Sequence, residues 1–415
     1  MLETVRIEKL VHGGQALGTL PDGRKVLVWN ALPGESVKVR LTKSKRSYAE
    51  GIAEEIVEHS SERIQPRDDA YLSTSPWQIM PFESESRYKH EILAETLSRE
   101  NVEIPDNIPF YAEKEPWGYR NKMEYSFWAD DSGLHLALFN RGTHGKRIVS
   151  GSSIARPEID ETANKIRTVL DGSNIRGSQL KTVIVRCNHS GETVVALFVK
   201  DKKFPKLDGL EGLCKGIVVY FSDPKSPASV ATKELYVYGD ITLSDEVAGN
   251  TVTYDVNSFF QVNLPMFELA LKHMEQGIKG ESPIIDFYSG VGTIGLALQA
   301  DALVESDVHN IRMARRNIAG RNIKIKKATA ETALDYIPAS GTLIVDPPRA
   351  GLHTKVIDEI RLARPDEIAY LSCNPITQAR DIASLQDIYN LQTVAGYNFF
   401  PRTPHIESLA ILQKV

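Results

Sequence analysis

The sequence predicts an α/β chain in three parts: a small OB-like β-barrel over residues 1–58, a central α+β region built on an antiparallel sheet over 59–250, and a Rossmann-like domain over 251–415. Three observations carry this. The first sixty residues alternate polar and apolar between turn residues, as short barrel strands do. From about residue 119 to 255, strand-like runs follow one another with a single helical stretch among them. Beyond residue 254, short apolar runs alternate with helical stretches, the pattern of βα units and a parallel sheet.

Composition sets the outer bounds. At 415 residues the chain can bury two or three cores, and 42% hydrophobic with 25% charged residues is ordinary for a globular protein. No run approaches a membrane span, and the opening MLETVRIEKL has neither signal- nor transit-peptide character. A cytoplasmic monomer is the expectation. Cys187, Cys214 and Cys373 lack metal-like or disulfide-like spacing, which suits a reducing compartment and predicts no metal site. A net charge of -5 argues against whole-surface attraction to nucleic acid, so RNA contact has to come from local basic patches.

In the barrel, VRIEKL, KVLVWN, ESVKVRLT and the run near 48–57 are strands, with turns at Gly13, Gly14 and Pro33. Lys38, Arg40, Lys43, Lys45 and Arg46 fall together with no acid among them. They read equally as a phosphate-tracking strand and as a solvated edge guarded by lysines. Residues 59–86 form a linker. Residues 89–100 place Ile92, Leu93 and Leu97 on one face of a helix, which is expected to pack on the C-terminal domain.

EPWGYRNKMEYSFW interleaves aromatics with Arg120 and Lys122, a pattern that suits base stacking and phosphate binding as well as an amphipathic strand. Arg141, His144, Lys146 and Arg147 add a second basic cluster. LKTVIVRCN, ETVVALFV, GIVVYFS and ELYVYGD are strands, with a helix over 157–170, and Cys187 and Cys214 are packing residues among them.

The C-terminal domain opens with SFFQVN and a helix over 265–278. Strand 284–287 then runs into Gly290, Gly292 and Gly295, with a helix opening at Thr293. Strand, GxGxxG and helix let backbone approach a ligand, and dinucleotide binding is the default reading. Glu305, however, closes the run ALVE only ten residues after Gly295, against a usual dinucleotide spacing of about twenty. Between Asp307 and Glu331 lie seven basic residues and no acid, read as a solvated helix face or a landing place for phosphates.

Three motifs follow: DPPRAG from Asp346 after the strand 342–345, SCNP from Ser372 after 368–371, and PHIES from Pro404 before the run 409–412. Thiol and carboxylate groups placed at strand ends reach the crevice where open α/β sheets bind ligands. A cysteine, an aspartate and a glutamate together can add a thiolate to an electron-poor double bond, alkylate the adduct and remove a proton, which is how carbon 5 of a uracil is methylated. Taken singly, a strand-end cysteine is more often a buried hydrophobe, a DPP a turn, and a late glutamate solvated surface.

GGQALGTL, KVLVWNALPGESVKV and KSKRSYAEG resemble a TRAM domain, and with YRNK, FFQVN, DPPR, SCNP and PHIES the whole chain resembles the RNA 5-methyluridine methyltransferases of bacteria. That resemblance implies a class I methyltransferase domain, S-adenosyl-L-methionine as cofactor and transfer or ribosomal RNA as partner. It implies Cys373 as the nucleophile on carbon 6 and Glu407 as the base. Gln261, Tyr288, Glu305 and Asp346 match cofactor-binding positions, with Gly290 and Gly292 in the loop, while Thr293 and Ala330 stand near two further contacts but differ in type.

Many members carry an iron–sulfur cluster, with cysteines just before the position of Trp77 and one near that of Ser152. No cysteine precedes Cys187 here, so no cluster is expected. The rivals are an RNA cytosine-5 methyltransferase, which would want a second cysteine in the catalytic half, an amino-group methyltransferase, which would leave Cys373 and Glu407 idle, and a non-catalytic RNA-binding protein.

Overall fold

The structure, a computed structural model, describes residues 2–105, 107–143, 145–280 and 282–415. Strands Leu2–Leu10, Ala16–Thr19, Lys25–Trp29, Ser36–Ser44 and Tyr48–Glu58 close into a barrel. Alternation sends Val5, Ile7, Val37 and Val39 inward. The basic stretch faces out, where Lys38, Arg40 and Lys43 pair with Glu55, Glu54 and Glu50 of the adjacent strand. Lys45 and Arg46 have no ion-pair partner among the described residues, so the phosphate-tracking reading narrows to these two.

Seven strands form the central sheet, in the order Lys233–Gly239, Gly216–Phe221, Thr193–Val199, Leu180–Cys187, Lys122–Asp130, Gly133–Phe139, Lys146–Ile148. It departs from the expected antiparallel sheet at one pair. Thr193–Val199 and Gly216–Phe221 run parallel, because residues 200–215 cross over and re-enter from the same end. Helix Pro157–Asp171 covers one face, and Cys187 lies in that core.

The C-terminal sheet has the order Lys324–Lys327, Ala302–Glu305, Ile284–Phe287, Thr342–Val345, Glu367–Ser372, Glu407–Lys414, Tyr389–Tyr397, Phe110–Tyr111. The first five strands are parallel, and Glu407–Lys414 alone is reversed. Chain order turns back between Ile284–Phe287 and Thr342–Val345, the switch point where doubly wound sheets open a crevice. Two earlier segments join this body. Hairpin Thr242–Val247/Asn250–Asp255 shares its core through Leu243, Val252 and Tyr254, and Leu93 and Leu97 of helix Phe82–Arg99 enter the core on the other face.

That helix starts seven residues earlier than the apolar spacing predicts, because its first two turns bury polar groups. Glu85 and Lys89 are fully buried and paired at 2.9 Å. Glu85 accepts from Asn398 Nδ2 at 2.9 Å and from the Arg402 amide at 3.0 Å, and Lys89 donates to Asn398 Oδ1 at 2.7 Å. Helix and loop 398–407 are thereby locked together. The barrel meets the same loop at Gly14, whose φ is +93° and where a Cβ would lie 2.3 Å from Pro404 Cβ.

In the region where the resemblance places cluster cysteines, a polar knot ties the linker to the central domain. Asp68 accepts from the Ser153 hydroxyl at 2.8 Å and from Gln78 Nε2 at 3.0 Å, and Gln78 Nε2 also donates to Ser75 Oγ at 2.7 Å. Among the described residues no group of three or more His, Cys, Asp or Glu could hold a metal ion, and no helix is long and apolar enough to cross a membrane.

Candidate active site

Sheet register builds the site. Phe287 pairs with Val304 on one side and Val345 on the other, so the residues that follow, Tyr288, Glu305 and Asp346, leave three adjacent strands at one edge. Ser372 pairs with Ser408 in the antiparallel step. Cys373, one residue on, therefore lies opposite Glu407, one residue back. The reversed strand thus brings a C-terminal carboxylate to the same edge as the parallel strand ends.

These residues line one cavity of about 590 Å³, together with Gln261, Gly290, Thr293 and Ala330. Of the ten positions singled out in the sequence, Gly292 alone lies off the lining and shapes the turn beneath it. Tyr288, Gly290 and Gly292 have φ of 62°, 56° and 88°. At Gly295 a Cβ would come within 2.3 Å of Leu303 Cδ2 and 2.9 Å of Asp286 Oδ2, so only glycine lets this turn pack. The helix that follows, Thr293–Ala297, opens at the expected residue and is five residues long.

Beneath the turn, Asp286 accepts from the Gly295 amide at 2.8 Å through Oδ2, while its buried Oδ1 has no partner. Burial pushes its pKa well up. Glu305 accepts from the Gly290 amide at 2.8 Å and from the Ser306 and Asp307 amides at 2.7 Å. Oε1 takes the Ser306 and Asp307 amides and Oε2 the Gly290 amide, so Oε2 keeps lone-pair capacity for a hydroxyl while the amides hold the carboxylate in place.

Electrostatics at the floor are set by crowded acids. Burial raises Asp346 to about 7. Burial, and then Asp346, raise Glu407 well above the ordinary carboxylate range, and its carboxyl has no hydrogen-bond partner among the described residues. Burial, then Glu407 and Asp346, push the Cys373 thiol up to about 11, against the pull of Arg349. At neutral pH the free protein therefore holds Cys373 as thiol, and the shift on Glu407 favours its protonated form.

The DPPR and SCNP loops are stitched together, since Asn374 Nδ2 donates to the Arg349 carbonyl at 2.8 Å and Thr377 Oγ1 to the same oxygen at 3.3 Å. Arg349 itself lines the cavity. It was visible in the sequence only as part of its motif. Phe259, 61% exposed and lining the same cavity, was legible only as the neighbour of Gln261. The supporting Glu85 and Lys89 gave no signal, because charged residues on a helix normally face water.

YRNK holds the junction. Tyr119 donates to the Pro401 carbonyl at 3.0 Å and buried Asn121 to the Gln261 carbonyl at 2.9 Å, so this motif ties the central sheet to the cavity wall. Of the second basic cluster, Lys146 donates to the Phe127 carbonyl and Arg147 to that of Asp69, at 2.9 and 3.1 Å. His144 lies outside the described residues.

Comparison with known proteins gives the chain's family. Residues 86–415 match the family model tRNA (Uracil-5-)-methyltransferase, and residues 3–53 match the TRAM domain. A Thermotoga maritima protein described as an uncharacterized RNA methyltransferase is 27% identical, covering 100% of this chain and 99% of its own. An Enterococcus faecalis protein of the same description is 28% identical over 99% and 96%.

The crystal structure of Pyrococcus abyssi tRNA (uracil-54, C5)-methyltransferase in complex with S-adenosyl-L-homocysteine superposes with a TM-score of 0.79, at 24% identity over 99% of this chain and 100% of that one, which shows a shared fold. With the family model spanning the central and C-terminal parts and the TRAM model the barrel, the chain belongs to the tRNA (uracil-5-)-methyltransferase family of RNA-modifying enzymes.

Proposed function

We propose that the protein methylates carbon 5 of a uridine in transfer or ribosomal RNA, using S-adenosyl-L-methionine and a covalent adduct to Cys373. The observation that carries this is the register that sets Cys373 opposite Glu407 on the wall of one cavity. The cavity fits the cofactor. Glu305 retains acceptor capacity, the buried Ser289 hydroxyl on the lining has no partner, and Glu305 and Glu331, with Asp346 titrating near neutrality, supply negative charge for a sulfonium. We assign its binding to Gln261, Tyr288, Gly290, Gly292, Thr293, Glu305, Ala330 and Asp346. When bound, the cofactor supplies a methyl group to carbon 5.

Cys373 loses its thiol proton to solvent as Sγ bonds carbon 6 of a flipped-out base, and the electron pair of the 5,6 double bond moves toward carbon 5 and the 4-carbonyl. After methylation Glu407, as carboxylate, takes the carbon 5 proton. The double bond re-forms and expels Cys373 as thiolate. Glu407 loses its own proton to solvent before methyl transfer, when a bound sulfonium would favour the carboxylate, and so stands ionised for this step. With this reading goes a division of labour, in which residues 1–58 and 59–250 recognise RNA and 251–415 transfer the methyl group.

The test is incubation with labelled S-adenosyl-L-methionine and unmodified transfer and ribosomal RNAs, followed by nucleoside mass analysis. The expected product is 5-methyluridine in one RNA class, lost in Cys373→Ala. A methylated cytidine or amino group, or product from Cys373→Ala, overturns the reading.

A further inference from the structure

Cys373 and Arg349 belong to two cavities. Besides the acid-lined one, they form part of the wall of a second cavity of about 430 Å³ at the meeting of the barrel, the linker and loop 403–406. Its charge is opposite. His12, Arg141, Arg349 and His405 line it, and no carboxylate does among the described residues. Burial, followed by Arg349, Lys89, Arg120 and Arg141, lowers His405 to about 3, so this histidine is neutral and sits in a positive field. In a chain of net charge -5, such a pocket has the charge that suits a polyanion.

The pocket also contains a stacking platform. Arg141 lies over the Trp29 ring at 3.9 Å, and its Nε donates to the Leu72 carbonyl at 2.6 Å. It has no acidic partner among the described residues. Arg349 touches His405 Nδ1 at 3.4 Å and likewise has no acidic partner. A guanidinium held over an indole and lining a cavity presents a cation of the kind that unstacked bases pack against.

We propose that this second cavity receives a nucleotide neighbouring the target uridine, with its base on the Arg141–Trp29 stack and its phosphate between Arg141 and Arg349. The proposal rests on the RNA methyltransferase reading and adds to it a second nucleotide site. An RNA passing from the barrel to Cys373 crosses this pocket, and a second unstacked base held there helps keep the target out of its helix. The barrel thereby contributes Trp29 and His12 to the substrate site.

The experiment measures binding of fluorescein-labelled penta-uridylate to the full chain by anisotropy at low salt, with cofactor affinity by calorimetry and melting temperature as controls. Trp29→Ala and Arg141→Ala are each expected to weaken penta-uridylate by about tenfold or more, with cofactor affinity and melting temperature unchanged. Trp29→Phe, which keeps a ring under the guanidinium, is expected to stay within about threefold of wild type.

Unchanged affinity in both alanine variants, or no saturable binding by wild type, overturns the proposal. The two readings fail separately. Unchanged affinity alongside 5-methyluridine formation removes the second nucleotide site alone, whereas loss of binding in the variants without any methyl transfer by wild type removes the reaction and keeps the site.

Discussion

The site's chemistry turns on one residue whose surroundings oppose its task. In the proposed mechanism Cys373 must become a thiolate, yet burial and the neighbouring Glu407 and Asp346 hold its pKa near 11. A thiol with raised pKa is less ionised at a given pH, and the reactive fraction grows about tenfold per pH unit until the pKa is reached. Iodoacetamide labelling of Cys373 in the free protein, followed by peptide mass spectrometry, is therefore expected to rise steadily from pH 7 to 10. A plateau below pH 8 would show an activated thiolate in the resting enzyme and contradict this account.

The sequence made Cys373, Glu407 and Asp346 legible, because short motifs beside strand-like runs fix which strand end each group leaves. It could not give their charge states. Those depend on the reversed strand that brings Glu407 to the same edge and on the acids it then shares the cavity with. Arg141 shows the converse. In the sequence it is one cation in a cluster of four, and only the fold lays it on Trp29 and apart from Lys146 and Arg147, which bond carbonyls elsewhere.

At the scale of elements, strands were easier to place than the helix that supports the site. Strands 284–287 and 342–345 fall where apolar runs place them, since both faces of a parallel sheet are buried. Helix Phe82–Arg99 was half hidden because Glu85 and Lys89 look like a solvated surface and are buried against loop 398–407. That loop positions Glu407, so the pair has a functional consequence. Glu85→Ala leaves Lys89 buried without its carboxylate, and such breaks cost about 3–5 kcal/mol. Denaturant unfolding is expected to show a loss of that size, and a loss under about 1 kcal/mol would show that the network is not a structural anchor.

Over the whole molecule, the three-part reading captured barrel, central sheet and parallel sheet as kinds of structure, and missed how closely they are joined. Gly14 against Pro404, Asn121 against Gln261 and the Asp68–Gln78–Ser153 knot are contacts between distant segments that local periodicity does not encode. They draw barrel, linker and sheet around Cys373, so that an acid-lined cavity and a basic one meet at a single thiol.

The central claim is that this thiol bonds carbon 6 of a uridine and that Glu407 removes the hydrogen from carbon 5. It is tested most directly with RNA in which fluorine replaces that hydrogen. Without a proton to remove, the methylated adduct cannot eliminate. Wild-type protein, cofactor and 5-fluorouridine-substituted RNA of the class that accepts methyl groups are expected to accumulate a protein–RNA conjugate, resistant to denaturation, whose digest places one methylated 5-fluorouridine nucleotide on Cys373. A conjugate on another residue, or turnover of the fluorinated RNA without any conjugate, would contradict the account.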